Sequence, residues 1–173
     1  MRHASLIRRR LLAILTLALA LPLGSRAEAP VKSFKAPDWE LLRLLAGKVI
    51  LVDFWASWCT PCRYSFPWMN QQQELHADTG LVIVGVNRDE DRAQAAAFLK
   101  RFPPKFQIEY DTDGRLARQF DVQVMPTSFL IDRQGRIRKR LEGFRPGERA
   151  ERETAIKQLL KEPAYVDPRP KRQ

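Results

Sequence analysis

Apolar runs of strand length alternate along this chain with segments whose apolar residues recur at helical spacing. The runs predict strands at 49–55, 81–87, 107–110, 127–132 and 136–141. The intervening segments predict helices at 37–46, 60–77, 91–102, 113–120 and 148–161. Because the runs at 49–55 and 81–87 are almost wholly apolar, we expect strands that are covered on both faces.

From residue 49 onward, the predicted order of elements is β-α-β-α-β-α-β-β-α. This order predicts an α/β fold with a mixed central sheet and helices on both faces. The last two strands flank Arg133-Gln134-Gly135, a glycine-bearing turn that indicates an antiparallel hairpin. The helix at 60–77 contains Pro67, which lacks an N–H group and is expected to kink it.

Residues 1–27 have the pattern of a secretory signal peptide. Basic residues precede a nearly continuous apolar stretch at 11–23, and Ser25-Arg26-Ala27 offers small residues at the −3 and −1 positions of a cleavage site. The apolar stretch is shorter than the about 20 residues of a transmembrane helix, although retention as an uncleaved anchor remains an alternative. We predict an exported, periplasmic protein with one domain at 28–162 and a disordered, proline-bearing tail at 163–173.

Half of the net charge belongs to this N-terminal segment. The whole chain carries +10, and residues 1–27 contain five arginines and no acidic residue, which leaves +5 for the rest. The remaining basic residues cluster at 136–140 and at Lys171-Arg172. Neither cluster is interleaved with the aromatic residues that a nucleic-acid interface would use. We therefore predict no nucleic-acid partner and interpret these clusters as solvated surface.

The only two cysteines, Cys59 and Cys62, stand between a predicted strand and a predicted helix. Their spacing suits a disulfide, which needs Cα atoms about 4.4–6.8 Å apart. The N-terminus of the helix favours a thiolate on Cys59. A structural disulfide closing so small a loop would stabilise the fold little. A reversible, redox-active disulfide is therefore a better interpretation than a structural staple.

Residues 55–63, Trp-Ala-Ser-Trp-Cys-Thr-Pro-Cys-Arg, with Met125-Pro126-Thr127 downstream, closely resemble the thioredoxin superfamily. Within it, the chain resembles the exported TlpA/ResA-like thiol–disulfide oxidoreductases. This closer resemblance is carried by Pro67, the hairpin segment 129–135 and the longer segment 87–124. It covers about residues 34–160 and implies a thioredoxin-like fold with a central αβ insert.

The resemblance also implies roles for individual residues. Cys59 resembles the attacking thiol and Cys62 the resolving thiol. Asp53 matches the buried acid of the family; burial should raise its pKa, so that it could accept a proton from Cys62. The expected substrate-binding residues are Trp58, Pro61, Met125 and Pro126, the last of which resembles the cis-proline of the family.

Ser65, Trp55 and Trp68 also lie near the cysteines in the sequence. Many members of this branch carry a glutamate three residues after the second cysteine, where this chain has Ser65. The chain therefore departs from the branch at a position that bears on thiol pKa and partner choice. We expect Trp55 to be partly buried packing, whereas Trp68 could belong either to the core or to the rim of the site.

The resemblance implies a protein-disulfide oxidoreductase that reduces disulfides of exported proteins and so contributes to cell redox homeostasis. Apocytochromes of cytochrome c biogenesis are one substrate class that the family suggests. We expect no cofactor other than the disulfide. Since the chain has no third cysteine for an internal relay, we expect a membrane-bound dithiol as electron donor. Thr60-Pro61 lacks the histidine of strongly oxidising pairs, which favours reduction.

Two other functions use related folds. A copper-handling chaperone would need a further ligand beside the cysteines, and His76, the only histidine after residue 27, should lie about 20 Å away along the helix. We therefore predict no metal site. A peroxidase would be expected to have a threonine three residues before its reactive cysteine, where this chain has Ala56.

Overall fold

The computed structural model describes residues 34–163, and the predicted signal segment and nearly all of the predicted tail lie outside this range. The strands are β1 Phe34–Lys35, β2 Val49–Trp55, β3 Leu81–Asn87, β4 Gln107–Tyr110, β5 Thr127–Ile131 and β6 Arg136–Glu142. The helices are α1 Glu40–Leu44, α2 Cys62–His76, α3 Arg92–Arg101, α4 Arg115–Gln119 and α5 Arg149–Lys161, with a 3₁₀ turn at Pro146–Glu148.

All six strands join one sheet in the order β1-β6-β5-β2-β3-β4. β2 pairs with β3 in parallel, as β3 does with β4, whereas the remaining pairs are antiparallel. The predicted mixed sheet is confirmed. β5 and β6 form the predicted hairpin, in which Gly135 adopts the positive φ of 75° that favours glycine at a tight turn.

Every residue of β2 is buried, because helices cover both faces of the sheet. Successive side chains of a strand point to opposite faces, so Val49, Leu51, Asp53 and Trp55 lie on one face and residues 50, 52 and 54 on the other. The first face packs against α2, α3 and α5. The second face packs against α1 and α4. The prediction of helices on both faces is confirmed, and Asp53 takes its place in the layer of α2 and α5.

The segment between β3 and β5 contains α3, the edge strand β4 and α4, in the positions expected for a central αβ insert. Asp91 caps α3 by accepting a hydrogen bond from the Ala93 N–H at 2.8 Å. The helix predicted from residue 113 begins two residues later. The first N–H groups of this helix donate mainly to Asp111, whose carboxylate accepts hydrogen bonds from the Leu116 and Ala117 N–H groups at 2.9 Å each.

The N-terminal part of the described chain differs from the prediction. The helix predicted at 37–46 is limited to Glu40–Leu44, and Phe34–Lys35, where the sequence pattern predicts no strand, form β1. β1 is only two residues long, and Phe34 pairs with Ile137 on β6. So short a strand exists because a partner edge is available, which a local sequence pattern does not reveal. Among residues 34–163, no helix has the length and apolar character needed to cross a bilayer.

Candidate active site

The two cysteines lie where β2 ends and α2 begins. In this short loop the Cys59 N–H donates to the Ala56 carbonyl at 3.1 Å, and the Cys62 N–H to the Cys59 carbonyl at 3.2 Å. The register pairs Phe54 with Thr127, the first residue of the antiparallel β5. The start of β5 and the end of β2 therefore meet at the same edge of the sheet, which brings the Met125-Pro126 segment to the cysteine loop.

Cys59 and Cys62 form a disulfide, with an S–S distance of 2.09 Å and Cα atoms 5.4 Å apart. The Cys62 N–H also lies 3.3 Å from the Cys59 Sγ and donates to it. α2 runs for 15 residues from Cys62, so Cys59 stands just before its N-terminus. When the disulfide opens, this N–H and the positive end of the helix favour a thiolate on Cys59 rather than on Cys62.

Both sulfur-bearing residues are buried. Cys59 is 3% exposed and Cys62 is fully buried, so Cys59 is only slightly the more accessible of the two. Beside them, the Trp58 side chain is 65% exposed. A partner disulfide would therefore approach Cys59 past an open indole ring.

The residues predicted to bind substrate lie near Cys59. Pro61 immediately precedes α2, and the Met125–Pro126 peptide bond is cis. Met125 is partly buried and packs against both halves of the core, whereas Pro126 is buried. The structure thus brings Trp58, Pro61, Met125 and Pro126 to one end of the sheet around the disulfide.

Asp53 lies under the site on the same face of β2 as Trp55. It is 1% exposed, and its Oδ1 accepts a hydrogen bond from the Ser128 hydroxyl at 2.5 Å. Its Oδ2 has no partner among the described residues. Burial raises the pKa of Asp53 to about 7, against the lowering effects of the Ser128 hydrogen bond and the Arg152 charge. A carboxyl group with this pKa can both take and release a proton near neutral pH.

Sequence reasoning missed two groups that act on Asp53. Ser128 stands directly opposite Asp53 in the register of β2 and β5, which only the strand pairing reveals. Arg152 is 4% exposed on α5. Its spacing from Ala155, Ile156 and Leu159 places it on the apolar face of the helix, a signal that could have identified it.

A buried polar cluster that sequence reasoning also missed holds the loop before the cysteines. Asp89, which follows β3, accepts from the Ser57 N–H at 3.0 Å and from the Ser57 hydroxyl at 2.9 Å. Asn87 donates to the same carboxylate at 2.8 Å. These bonds tie the loop that carries Trp58 and Cys59 to the adjacent strand.

The other positions singled out near the cysteines, one on β2 and two on α2, are core residues. Trp55 is fully buried, beyond the partial burial expected. Trp68 belongs to the core, and its Nε1 donates to Glu153 on α5 at 3.3 Å. Ser65, which replaces the glutamate common in the branch, is buried, and its hydroxyl donates to the Cys62 carbonyl at 3.1 Å. No acidic side chain therefore stands at this position beside the resolving thiol.

His76 lies at the C-terminal end of α2, at the opposite end of the helix from Cys62. Within residues 34–163, no group of three or more histidine, cysteine, aspartate and glutamate side chains is arranged to hold a metal ion.

Known proteins resemble this chain over most of its described part. The thiol-disulfide oxidoreductase ResA of Bacillus thuringiensis subsp. konkukian is 31% identical over 110 residues, which are 64% of this chain and 64% of that protein. The protein of the same name from Bacillus subtilis is 35% identical over 99 residues, or 57% of this chain and 55% of that protein. The chain thus spans less than two thirds of the length of the curated relatives it matches.

A solved structure from Chlorobium tepidum, assigned as a thiol:disulfide interchange protein DsbE, superposes with a TM-score of 0.68 at 40% identity and covers 75% of this chain and 94% of that one. A model of the Redoxin family matches residues 33–159. The site described above falls wholly within this match. The chain therefore belongs to the Redoxin family, with the thioredoxin-like fold and the TlpA/ResA-like character that its sequence predicts.

Proposed function

We propose that this protein is a thiol–disulfide oxidoreductase that reduces disulfides of exported proteins through its Cys59–Cys62 pair. The observation that carries the proposal is the asymmetric placing of the two sulfurs: Cys59 receives a backbone N–H at the start of α2, and Cys62 is buried in the layer that contains Asp53. The names of the related proteins from Bacillus and Chlorobium support the same chemistry.

The reaction begins with both cysteines reduced. The Cys59 thiolate attacks a disulfide of the substrate, forms a mixed disulfide and releases one substrate sulfur as a thiolate. Asp53 then takes the proton of the Cys62 thiol, and the Cys62 thiolate attacks the Cys59 Sγ. The bond between Cys59 and the second substrate sulfur breaks, and that sulfur leaves with the electron pair. The substrate is reduced and the Cys59–Cys62 disulfide is formed.

Residues beside the disulfide provide a surface on which a substrate can bind. Trp58 offers an exposed aromatic face beside Cys59. Met125 and Pro126 precede β5 at the same edge, where an extended peptide can pair with the backbone. The disulfide is the only redox group that the mechanism requires.

We place the protein in the periplasm, because residues 1–27 have the composition of a secretory signal. Retention of this segment would anchor the protein to the inner membrane. Cys59 and Cys62 are the only cysteines of the sequence, so the pair needs an external electron source, for which we propose a membrane-bound dithiol donor. Apocytochromes awaiting haem attachment are one substrate class that this arrangement would serve.

The activity is tested by reduction of a protein disulfide with dithiothreitol as the electron source. We expect the protein without residues 1–27 to catalyse the reduction and the Cys59→Ser variant to lose the activity. The Cys62→Ala variant should instead accumulate a mixed disulfide on Cys59, which identifies bound partners by mass spectrometry. An undiminished rate in Cys59→Ser would refute the role given to that residue.

The direction of electron flow has its own test. A reductase should have a potential well below the about −120 mV of a strong oxidant. Equilibration of the purified protein with glutathione mixtures measures this value. A potential near that of a strong oxidant would show that the protein forms disulfides instead of reducing them.

A further inference from the structure

Arg152 is an unusual residue in this fold, because it is the one buried basic side chain among residues 34–163. One of its terminal nitrogens donates to the Gly143 carbonyl at 2.7 Å and lies 3.3 Å from a Glu148 carboxylate oxygen. Its guanidinium carbon lies 5.1 Å from the centre of the Phe144 ring. The Nε and the other terminal nitrogen have no partner in the described part of the chain. Buried charged groups are costly unless a counter-charge is near.

Asp53, in the same layer of the molecule, has a buried oxygen that could accept a hydrogen bond but receives none from a described residue. Its Oδ2 is buried and, within residues 34–163, also lacks a partner. α5 packs its Ala155 and Ile156 side chains on the face of β2 to which Asp53 points. The positive charge of Arg152 also lowers the pKa of Asp53 against the effect of burial.

The other elements packed around Asp53 bring no competing charge. β5 contributes the neutral Ser128 hydroxyl, and β3 places Gly85 directly opposite. The polar side chains that α2 buries, Ser65 and Gln72, are neutral. Glu153 on α5 accepts a hydrogen bond from the Trp68 indole, and Glu148, whose side chain is 35% exposed, pairs with Arg152 at 3.3 Å. Arg152 is therefore the one buried cation that the described residues bring to this layer.

We propose that Arg152 is a positioning residue for thiol–disulfide exchange, whose buried guanidinium favours the carboxylate form of Asp53 that takes the proton from Cys62. This inference rests on the proposed function, because it assigns Asp53 to the resolving step. Arg152 touches neither substrate nor sulfur in that step. Its charge makes the carboxylate available at a lower pH than burial alone would permit.

The first test is the ionisation of Asp53 in the oxidised protein, where no thiol titrates. In the Arg152→Met variant of the exported and purified protein, we expect the Asp53 pKa to rise by about one unit, measured by NMR of its carboxyl carbon. Arg152→Lys keeps the charge and should restore the pKa toward its original value. Arg149→Met removes an equal charge from an exposed position of the same helix and should leave the Asp53 pKa unchanged.

The second test is the rate at which the mixed disulfide is resolved. At pH 6, Arg152→Met should slow this step about tenfold, since one pKa unit changes the carboxylate fraction by about that factor below the pKa. At pH 9 the two rates should converge. In an Asp53→Asn background, Arg152→Met should no longer shift the pH profile, which separates an action through Asp53 from a general effect on folding.

Glu148→Gln keeps the proposal falsifiable if Arg152→Met fails to fold. This change removes a negative partner of Arg152 and should shift the Asp53 pKa downward, opposite to the effect of Arg152→Met. An unchanged Asp53 pKa in either folded variant would overturn the proposal even if the enzyme stayed active. Loss of the proposed function would be detected separately, as full activity in Cys59→Ser.

Discussion

At the scale of single residues, the site depends on the balance of forces at Asp53. Removal of the carboxyl group from water raises its pKa, and the Ser128 hydroxyl and Arg152 charge oppose this effect without cancelling it. The outcome, a pKa of about 7, leaves the group close to half ionised at neutral pH. The proposed proton transfer from Cys62 requires such an intermediate pKa, because a permanently charged or permanently neutral group could not exchange protons.

The raised pKa has a cost in stability that can be measured. Between about pH 4 and pH 7, Asp53 ionises in the unfolded chain but stays protonated in the folded protein, so its contribution to stability falls as the pH rises. The Asp53→Asn variant removes this cost. We expect it to be about 2–4 kcal/mol more stable than the native protein at pH 7.5, measured by urea denaturation.

At pH 3 the advantage of Asp53→Asn should nearly disappear, because Asp53 is then protonated both in the folded native protein and in most of the unfolded chains. An exposed control, Asp38→Asn, should show no comparable advantage at pH 7.5. A stability difference that is independent of pH would contradict the assignment of the shifted ionisation to Asp53.

At the scale of elements, the cysteine loop takes its position from the strand beside it. Asp89 receives the Ser57 backbone N–H, the Ser57 hydroxyl and the Asn87 amide. These bonds connect the end of β2 to the end of β3, and together with the start of α2 they hold Cys59 from two sides. The loop is thus fixed without a metal ion or a second disulfide among the described residues.

Removal of this carboxylate should loosen the loop. The Asp89→Ala change leaves several buried donors without an acceptor, and we expect a loss of about 2–3 kcal/mol in stability. The Ser57 amide should also lose protection from hydrogen exchange. Asp91→Ala is a matched control, because it removes a helix cap at about 1 kcal/mol and should leave Ser57 protected. Equal protection of Ser57 in both variants would contradict the role of Asp89.

On the hairpin, the basic side chains at 136–140 form ion pairs with neighbouring carboxylates. Arg136 and Arg138 both approach Asp132, at 2.9 and 3.3 Å, and Arg138 also pairs with Glu162 at 2.9 Å. Arg140 pairs with Glu142 at 2.8 Å. The cluster is therefore surface, as predicted, but its charges are matched by neighbouring carboxylates, which argues against a free basic patch for nucleic acid.

At the scale of the whole molecule, the active site lies above an aromatic core. Phe66 on α2 packs against Trp55, Phe98 and Phe106, with ring centroids 4.9–5.3 Å apart. These rings come from β2, α2, α3 and the segment before β4, so one side chain joins the elements on this face. The same helix face carries Cys62 and Met69 into the layer.

Truncation of Phe66 should therefore destabilise the entire domain. We expect Phe66→Ala to lower the free energy of unfolding by about 3–5 kcal/mol. Leu75→Ala, on the exposed side of the same helix, should change it by less than about 0.5 kcal/mol. Chemical denaturation of both variants provides the comparison. A small effect at Phe66 would show that the core relaxes around the missing ring.

The sequence by itself determined the elements whose patterns are local. The strands at 49–55, 81–87 and 107–110 have the predicted bounds, because an apolar run or a short β-prone run between turn signals is visible without knowledge of its neighbours. The cysteine spacing before a helix likewise identified the redox pair, since both sulfurs lie within one turn of the chain. The hairpin could be predicted because its turn residues adjoin the strands that they connect.

Tertiary structure alone decided which distant groups meet around those sulfurs. Ser128 reaches Asp53 across 75 positions of the chain, and Ser57 reaches Asp89 across 32. Arg152 enters the same layer as Asp53 only when α5 folds back onto β2. Such contacts depend on strand register and helix packing, which are properties of the assembled sheet. The cysteine pair can thus be identified from the local sequence, whereas the groups that determine the pKa of Asp53 come together only when the chain folds.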